Sequence, residues 1–353
     1  MTDLTREAIA ALDPQGMLDD VLAQPHQIAD ALWRIESAGI ERRDLPGGLV
    51  VAGMGGSAIG GDLALAAIGR RATAPVRTVR GYELAPWTGP DTLVLAASYS
   101  GDTEETIACF EAAGAAGMPR VALTTGGKLA ELAREGGVPV IGVPSGMQPR
   151  AAVIYMALAA AECAALAGAA PSLRNEAEAA AELLGHLAAE WGPDAPEDSE
   201  AKALARRLDG SMPVVFGAGP TAPVATRWKA QLNENTELPA LAVVLPEADH
   251  NEVCTWQPGE DSPARRSAVF LEDPEHDPRV KRRIDLTAEL VAPGATTVER
   301  PAARGESELE HVLSLVFLGD LVSVYLAVLR GVDPTPVEPL ERFKEMLRAP
   351  AQP

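Results

Sequence analysis

Twice along the chain a short apolar run stops in glycine and opens directly into helix-favouring sequence: LVVAGMGGSAIGGDL at 49–63 and PVVFGAGPTAPVATRW at 213–228. A buried strand that ends in this way is the repeating unit of a parallel sheet covered by helices on both faces. Further short strands fit the same plan. Leu49–Ala52 is followed by helical sequence over Ser57–Ile68, then by strands at Val76–Val79, Thr92–Ala97, Val121–Thr124 and Val138–Val143. The second round runs from a strand at Pro213–Gly217 through a helix at Thr221–Leu232 to strands at Leu241–Leu245, Ala268–Leu271 and Thr296–Val298. Two doubly wound α/β domains in tandem are expected, at 1–170 and 171–353, related by internal duplication.

The intervening sequence reads as helix. Residues 1–45 place Leu18, Val21, Leu22, Ile28 and Leu32 on one face. Arg150 to about Ala167, Leu173–Glu190 and Leu309–Arg330 are further helices, Trp191–Glu200 is a polar loop, and a short tail helix carries Lys344. The 353 residues suit two domains. Aromatics are only 4%, so the cores are built from Ala, Leu and Val. The run Ala151–Ala170 contains Glu162 and is followed by Pro171, which suits a buried helix better than a membrane span.

A net charge of −20 repels nucleic acid and anionic membranes, so neither is an expected partner. Any anion site must be made locally, from backbone amides and a few cations. Cys109, Cys163 and Cys254 are sparse and odd in number, with no Cys/His cluster. That pattern fits a reducing, cytoplasmic setting and no metal site. The first residues, MTDLTREAIAALDPQ, lack the apolar stretch of a signal peptide.

Four segments carry candidate chemistry. In GMGGSAIGGDL (53–63) the glycines let backbone N–H groups approach an anion. Gly53, Gly55 and Ala58 also satisfy a loose dinucleotide fingerprint. Arg80 and Gly81 stand where that fingerprint needs an acid, so no nicotinamide cofactor is expected. SYSGDTEET (98–106) offers Ser98, Ser100 and Thr103 at the carboxyl end of a strand, where open α/β sheets bind ligands. Thr103 is placed to cap the following helix. PSGMQPRAA (144–152) sets Arg150 at a helix start, where its charge opposes the dipole and points to another task. NENTELPALAVVLPEADHNE (233–252) holds Glu234 at a helix end and His250 after the next strand, neither suited to a core. His26, His186, His276 and His311 lie in helical or polar surface contexts. Read singly, these segments are a glycine turn, a Ser/Thr-rich turn, a surface arginine and a polar loop.

In this order the four segments closely resemble the bifunctional phosphoglucose/phosphomannose isomerase family, which are two-domain SIS (sugar isomerase) proteins. The resemblance runs from about Leu49 to the tail helix. It implies two flavodoxin-like SIS domains and a sugar-phosphate pocket made by Gly55, Gly56, Ser57, Ser98, Ser100 and Thr103. It further implies Arg150 as the cation that stabilises an enediolate, Glu234 as the base moving a proton between C1 and C2, and His250 as the residue assisting ring opening. His250 is then expected to act from the second subunit of a homodimer, and Lys344 to belong to the site. The implied activity is metal-independent interconversion of glucose 6-phosphate, mannose 6-phosphate or both with fructose 6-phosphate, without a cofactor. The chain departs from the pattern at Asp102, where Asn is commoner, and at Thr236–Glu237, where a small and a basic residue are expected. Two other readings share the fold: a non-catalytic sugar-phosphate regulator, and another SIS phosphosugar isomerase or lyase. The chain shows no basic helix-turn-helix segment of the kind such regulators carry, and the NEN…HNE segment separates the enzyme readings.

Overall fold

The structure, a computed structural model, describes residues 3–257 and 265–348. The amphipathic N-terminal stretch is three helices: α1 (Arg6–Leu12), α2 (Met17–Leu22) and α3 (Gln24–Ser37). The break before α2 is fixed by Asp13, whose two carboxylate oxygens accept from the Met17 and Leu18 amides, each at 2.8 Å.

Next come β1 (Gly48–Gly53), α4 (Gly55–Ile68), β2 (Val76–Val79), β3 (Thr92–Ala97), α5 (Glu104–Ala115), β4 (Arg120–Thr124), α6 (Gly127–Glu135), β5 (Val140–Gly142) and α7 (Val153–Leu166). These strands form one parallel sheet in the order β2-β1-β3-β4-β5, with Val50 opposite both Arg77 and Val94. Every residue of β1 and β3 is buried, which is why both read as unbroken apolar runs rather than alternating ones. The stretch expected as one helix from Arg150 instead starts as a 3₁₀ turn, Pro149–Ala152, before α7.

The second half holds α8 (Arg174–Trp191), α9 (Glu200–Leu208), β6 (Met212–Ala218), α10 (Thr221–Thr236), β7 (Leu241–Leu245), β8 (Arg266–Phe270), α11 (Pro278–Val291), β9 (Val298–Glu299), α12 (Glu308–Arg330) and α13 (Glu338–Arg348). Its parallel sheet has the order β7-β6-β8-β9, the same as β2-β1-β3-β4. The sequence reading did not anticipate α9 and α11. Both are rich in charge; α9 buries Ala201, Leu204, Ala205, Leu208 and even Lys202, whereas α11 buries only a stripe of Ile284, Thr287, Ala288 and Val291 and opens with Asp277 capping the Arg279 amide at 2.9 Å and Pro278 in its first turn.

One apolar core serves both sheets. Helix α12, buried from Leu309 to Val328, packs on α4 of the first half and on α8, α9 and α10 of the second. Helix α8 packs on both α3 and α12, so the segment just after residue 170 touches both halves. The stretch Pro149–Leu166 and helix α12 are each long and apolar enough to cross a membrane, and both are largely buried inside the protein.

Candidate active site

The first two segments meet at the carboxyl ends of β1 and β3. Gly55 has φ of 49°, a left-handed conformation that suits glycine at the turn into α4. Ser57, in the first turn of α4, is buried, and its Oγ accepts from the Tyr99 amide at 3.2 Å. Ser98 Oγ accepts from the Gly101 amide at 3.0 Å and shares a hydrogen bond of 2.9 Å with Thr103 Oγ1. Thr103 does occupy the cap position of α5, but its side chain makes no capping hydrogen bond. The hydroxyl is turned toward Ser98 instead. Helices α4 and α5 therefore both begin without a side-chain cap, which leaves two helix N-termini to meet an anion. Ser100 is exposed beside them, its Oγ accepting from the Asp102 amide at 3.2 Å. The carboxylate of Asp102 accepts from the Lys128 amide at 3.0 Å, so its charge caps the first turn of α6.

The third segment closes on the same place. A Cβ placed on Gly56 would lie 3.2 Å from both the Arg150 Cα and the Pro149 carbonyl oxygen, so α4 and the Arg150 turn touch through the missing side chain. Tyr99 links the turns as well: its hydroxyl donates to the Pro144 carbonyl at 3.0 Å and accepts from the Met147 amide at 3.1 Å. Burial holds that phenol above its usual range.

Arg150 is not a surface arginine; only 4% of it is exposed. Its Nε donates to Asn235 Oδ1 at 2.6 Å, and its Nη2 to the carbonyls of Pro334 and Thr335 at 2.7 and 2.8 Å. Its Nη1 faces Gln148 Oε1 at 3.5 Å and Glu234 Oε2 at 3.6 Å. Burial pulls the guanidinium down from its ordinary value, and the Glu234 carboxylate acts against that pull. Glu234 lies in the last turn of α10 with 30% of its side chain exposed, open enough to meet a ligand. The turn ends at Glu237, in the left-handed region with φ of 53°, and Thr236 Oγ1 bonds back to the Leu232 carbonyl at 2.5 Å.

His250 and Lys344 stand apart from this group. His250 ends an exposed 3₁₀ turn after β7, and its neighbour Asp249 accepts from Arg283 and Thr287. Among the described residues, no hydrogen bond or ion pair joins His250 or Lys344 to Arg150 or Glu234. Lys344 lies on α13, whose described side chains are exposed. Leu340, Phe343 and Leu347 align along that helix with Lys344 at their flank, and this face is left uncovered.

Residues 197–347 match the family described as the bacterial phospho-glucose isomerase C-terminal SIS domain. A bifunctional phosphoglucose/phosphomannose isomerase of Caldicellulosiruptor bescii is 36% identical over 339 residues, which is 94% of this chain and 98% of the relative. Its counterpart in Aquifex aeolicus is 36% identical over 310 residues, 85% of this chain and 90% of that one. The chain belongs to the bifunctional phosphoglucose/phosphomannose isomerase family. The family is one of isomerases, and the tandem parallel sheets are SIS domains. The solved structure of a hypothetical protein from Thermus thermophilus superposes with a TM-score of 0.73 at 19% identity, covering 97% of this chain and 92% of that one, and shows the same fold.

For a member of this family, the residues around Arg150 are the part that sequence reasoning missed. Asn235 appears in the sequence only as a polar neighbour of Glu234, and Pro334 and Thr335 only as tail residues. Tyr99 sits unnoticed between two serines. His311, placed by sequence in a helix, is buried there, with Nδ1 3.3 Å from Asp273 Oδ1 and Nε2 3.1 Å from the Gly305 carbonyl. The available signal was weak: a buried Asn next to a carboxylate at a helix end has no period or spacing of its own.

Proposed function

We propose that the protein interconverts glucose 6-phosphate, mannose 6-phosphate or both with fructose 6-phosphate through an enediolate, without a metal ion. The phosphate sits on the amides of Gly55 and Gly56 and the hydroxyls of Ser57, Ser98, Ser100 and Thr103, at the N-termini of α4 and α5. After ring opening, Glu234 removes the C2 proton of the aldose and returns it to C1, while the proton on the C2 hydroxyl passes to the oxygen on C1. Negative charge that builds on these oxygens is met by Arg150. A shared enediolate erases the configuration at C2, so one site serves both aldoses. His250 assists ring opening from the second subunit of a homodimer, and Lys344 joins the site when α13 finds cover. The enzyme is proposed to act in the cytoplasm.

The observation that carries the reading is the pairing of a carboxylate and a buried guanidinium, Glu234 and Arg150, directly beside the Gly56 turn. The test is a coupled assay for fructose 6-phosphate, run with each aldose phosphate in the presence of a chelator. Turnover with either substrate supports the isomerase, and turnover with both supports the bifunctional form. Binding of the phosphates without turnover would point to a regulator or to another phosphosugar as substrate.

A further inference from the structure

A guanidinium has five N–H donors in a fixed fork, so its direction is set by whatever accepts from the donors the substrate does not use. In Arg150 three donors are taken. Asn235 Oδ1 accepts from Nε, and the Pro334 and Thr335 carbonyls accept from Nη2. The Nη1 edge keeps only a long 3.5 Å bond to Gln148 Oε1, and it points at Glu234. All three fixing acceptors are uncharged amide or peptide oxygens. They hold the fork without cancelling its charge, which stays available for an anionic intermediate.

Asn235 is itself held in one orientation. It is wholly buried, and with Oδ1 on Arg150 its Nδ2 donates to Ser323 Oγ at 2.8 Å. Ser323 Oγ in turn donates to the Asp320 carbonyl at 2.7 Å, which leaves its lone pairs for Asn235. The chain Asp320–Ser323–Asn235 thus runs from α12 through α10 to the arginine. A flipped Asn235 amide would set its NH₂ against the Nε–H of Arg150 and two hydrogen-bond donors would face each other.

We infer that Asn235 is a positioning residue for the reaction, fixing the Nη1 edge of Arg150 toward the reacting oxygens while leaving its charge intact. The inference rests on the reading of Arg150 as the enediolate-stabilising cation. A displacement near 1 Å at such a group costs on the order of a hundredfold in rate, so Asn235→Ala is expected to lower kcat by about 10–100-fold with KM within a few-fold.

The test is a double-mutant cycle on the full chain. kcat and KM are measured for N235A, R150A and N235A/R150A, with melting temperature and circular dichroism as checks on folding. If Asn235 acts through Arg150, N235A lowers kcat in the wild-type background and has no further effect in the R150A background. Two results overturn the inference: N235A at wild-type kcat while R150A is impaired, or an equal loss from N235A in both backgrounds. An unimpaired R150A instead overturns the role given to the arginine, and the inference with it. If N235A does not fold, N235D takes its place in the cycle. It keeps the volume and the acceptor, so it tests the second half of the inference. With the fork still held, kcat is expected to fall because the carboxylate neutralises the cation, and N235D at wild-type kcat would overturn the requirement for an uncharged acceptor.

Discussion

The pair Arg227–Asp320 should reveal how the floor of the site is held. Arg227 Nε donates to Asp320 Oδ1 at 3.1 Å and its Nη2 to Oδ2 at 2.7 Å; Gln24 Nε2 adds a third bond to Oδ2 at 2.7 Å. The two side chains are 2% and 1% exposed. Charges this far from water give little net stability as a pair, because desolvation offsets their attraction, but removing one partner strands the other. Asp320→Asn keeps the volume and opens no cavity, so its cost is the uncompensated guanidinium: about 3–5 kcal/mol. The double variant Arg227→Met, Asp320→Leu removes both charges and fills the same space. It also takes a partner from the buried Gln24 amide and from the Arg150 carbonyl, so it is expected to recover part, not all, of the loss seen in the single variant. The assay is urea unfolding followed by circular dichroism, comparing midpoints at constant slope. An Asp320→Asn variant that loses less than about 1 kcal/mol, or a double variant at least as unstable as the single one, would refute the argument. A loss of about 4 kcal/mol matters in a fold whose whole stability is on the order of 5–15 kcal/mol.

Three further outcomes follow from the geometry. Glu234→Gln keeps the shape of the side chain and removes the proposed base, so kcat should fall by about 10²–10⁴-fold while sugar-phosphate binding, measured by calorimetry, stays within a few-fold; lost binding would instead mark Glu234 as a substrate anchor. Thr103→Ala should raise KM for the phosphate yet cost less than the typical ~1 kcal/mol of a lost helix cap in thermal unfolding, because the hydroxyl caps nothing. Burial, then the neighbouring Asp13 and Asp19, pushes the Asp20 carboxyl up to about 6 from its ordinary 3.8. The folded state therefore holds that proton more tightly than the unfolded chain. The contribution favours folding below about pH 4 and is lost as pH rises through about 6. Asp20→Asn should stabilise the protein at pH 7.5 by about 1–2 kcal/mol, after discounting for partial exposure, and match the parent at pH 4; equal stability at both would contradict the shift.

What the sequence made legible divides along a physical line. Strands β1 and β3 were readable because a strand buried on both faces must be apolar throughout, and the glycine turns after β1 and β6 marked where each parallel unit opens. Helices α9 and α11 were missed because charged residues dominate their sequences: Glu200, Arg206 and Arg207 in one, together with Lys202, which is buried with its ammonium on the Pro193 and Ala195 carbonyls, and Arg279, Lys281, Arg282 and Arg283 on the outward face of the other. The site divides in the same way. Gly56, Ser57, Ser98, Thr103, Arg150 and Glu234 announce themselves by residue type next to a strand end or helix end, and the fold does gather them. The geometry of Arg150 depends on Asn235, 85 positions away, and on peptide carbonyls 184 and 185 positions away, and a backbone oxygen has no residue type to read. That difference has a consequence for the tail. The carbonyls that grip Arg150 belong to the segment leading into α13, and Thr335 Oγ1 also donates to Asp13 at 3.3 Å. The arginine thus anchors the start of the helix that carries Lys344, so any surface that covers Leu340, Phe343 and Leu347 draws on a segment whose other end is tied to the guanidinium of the site.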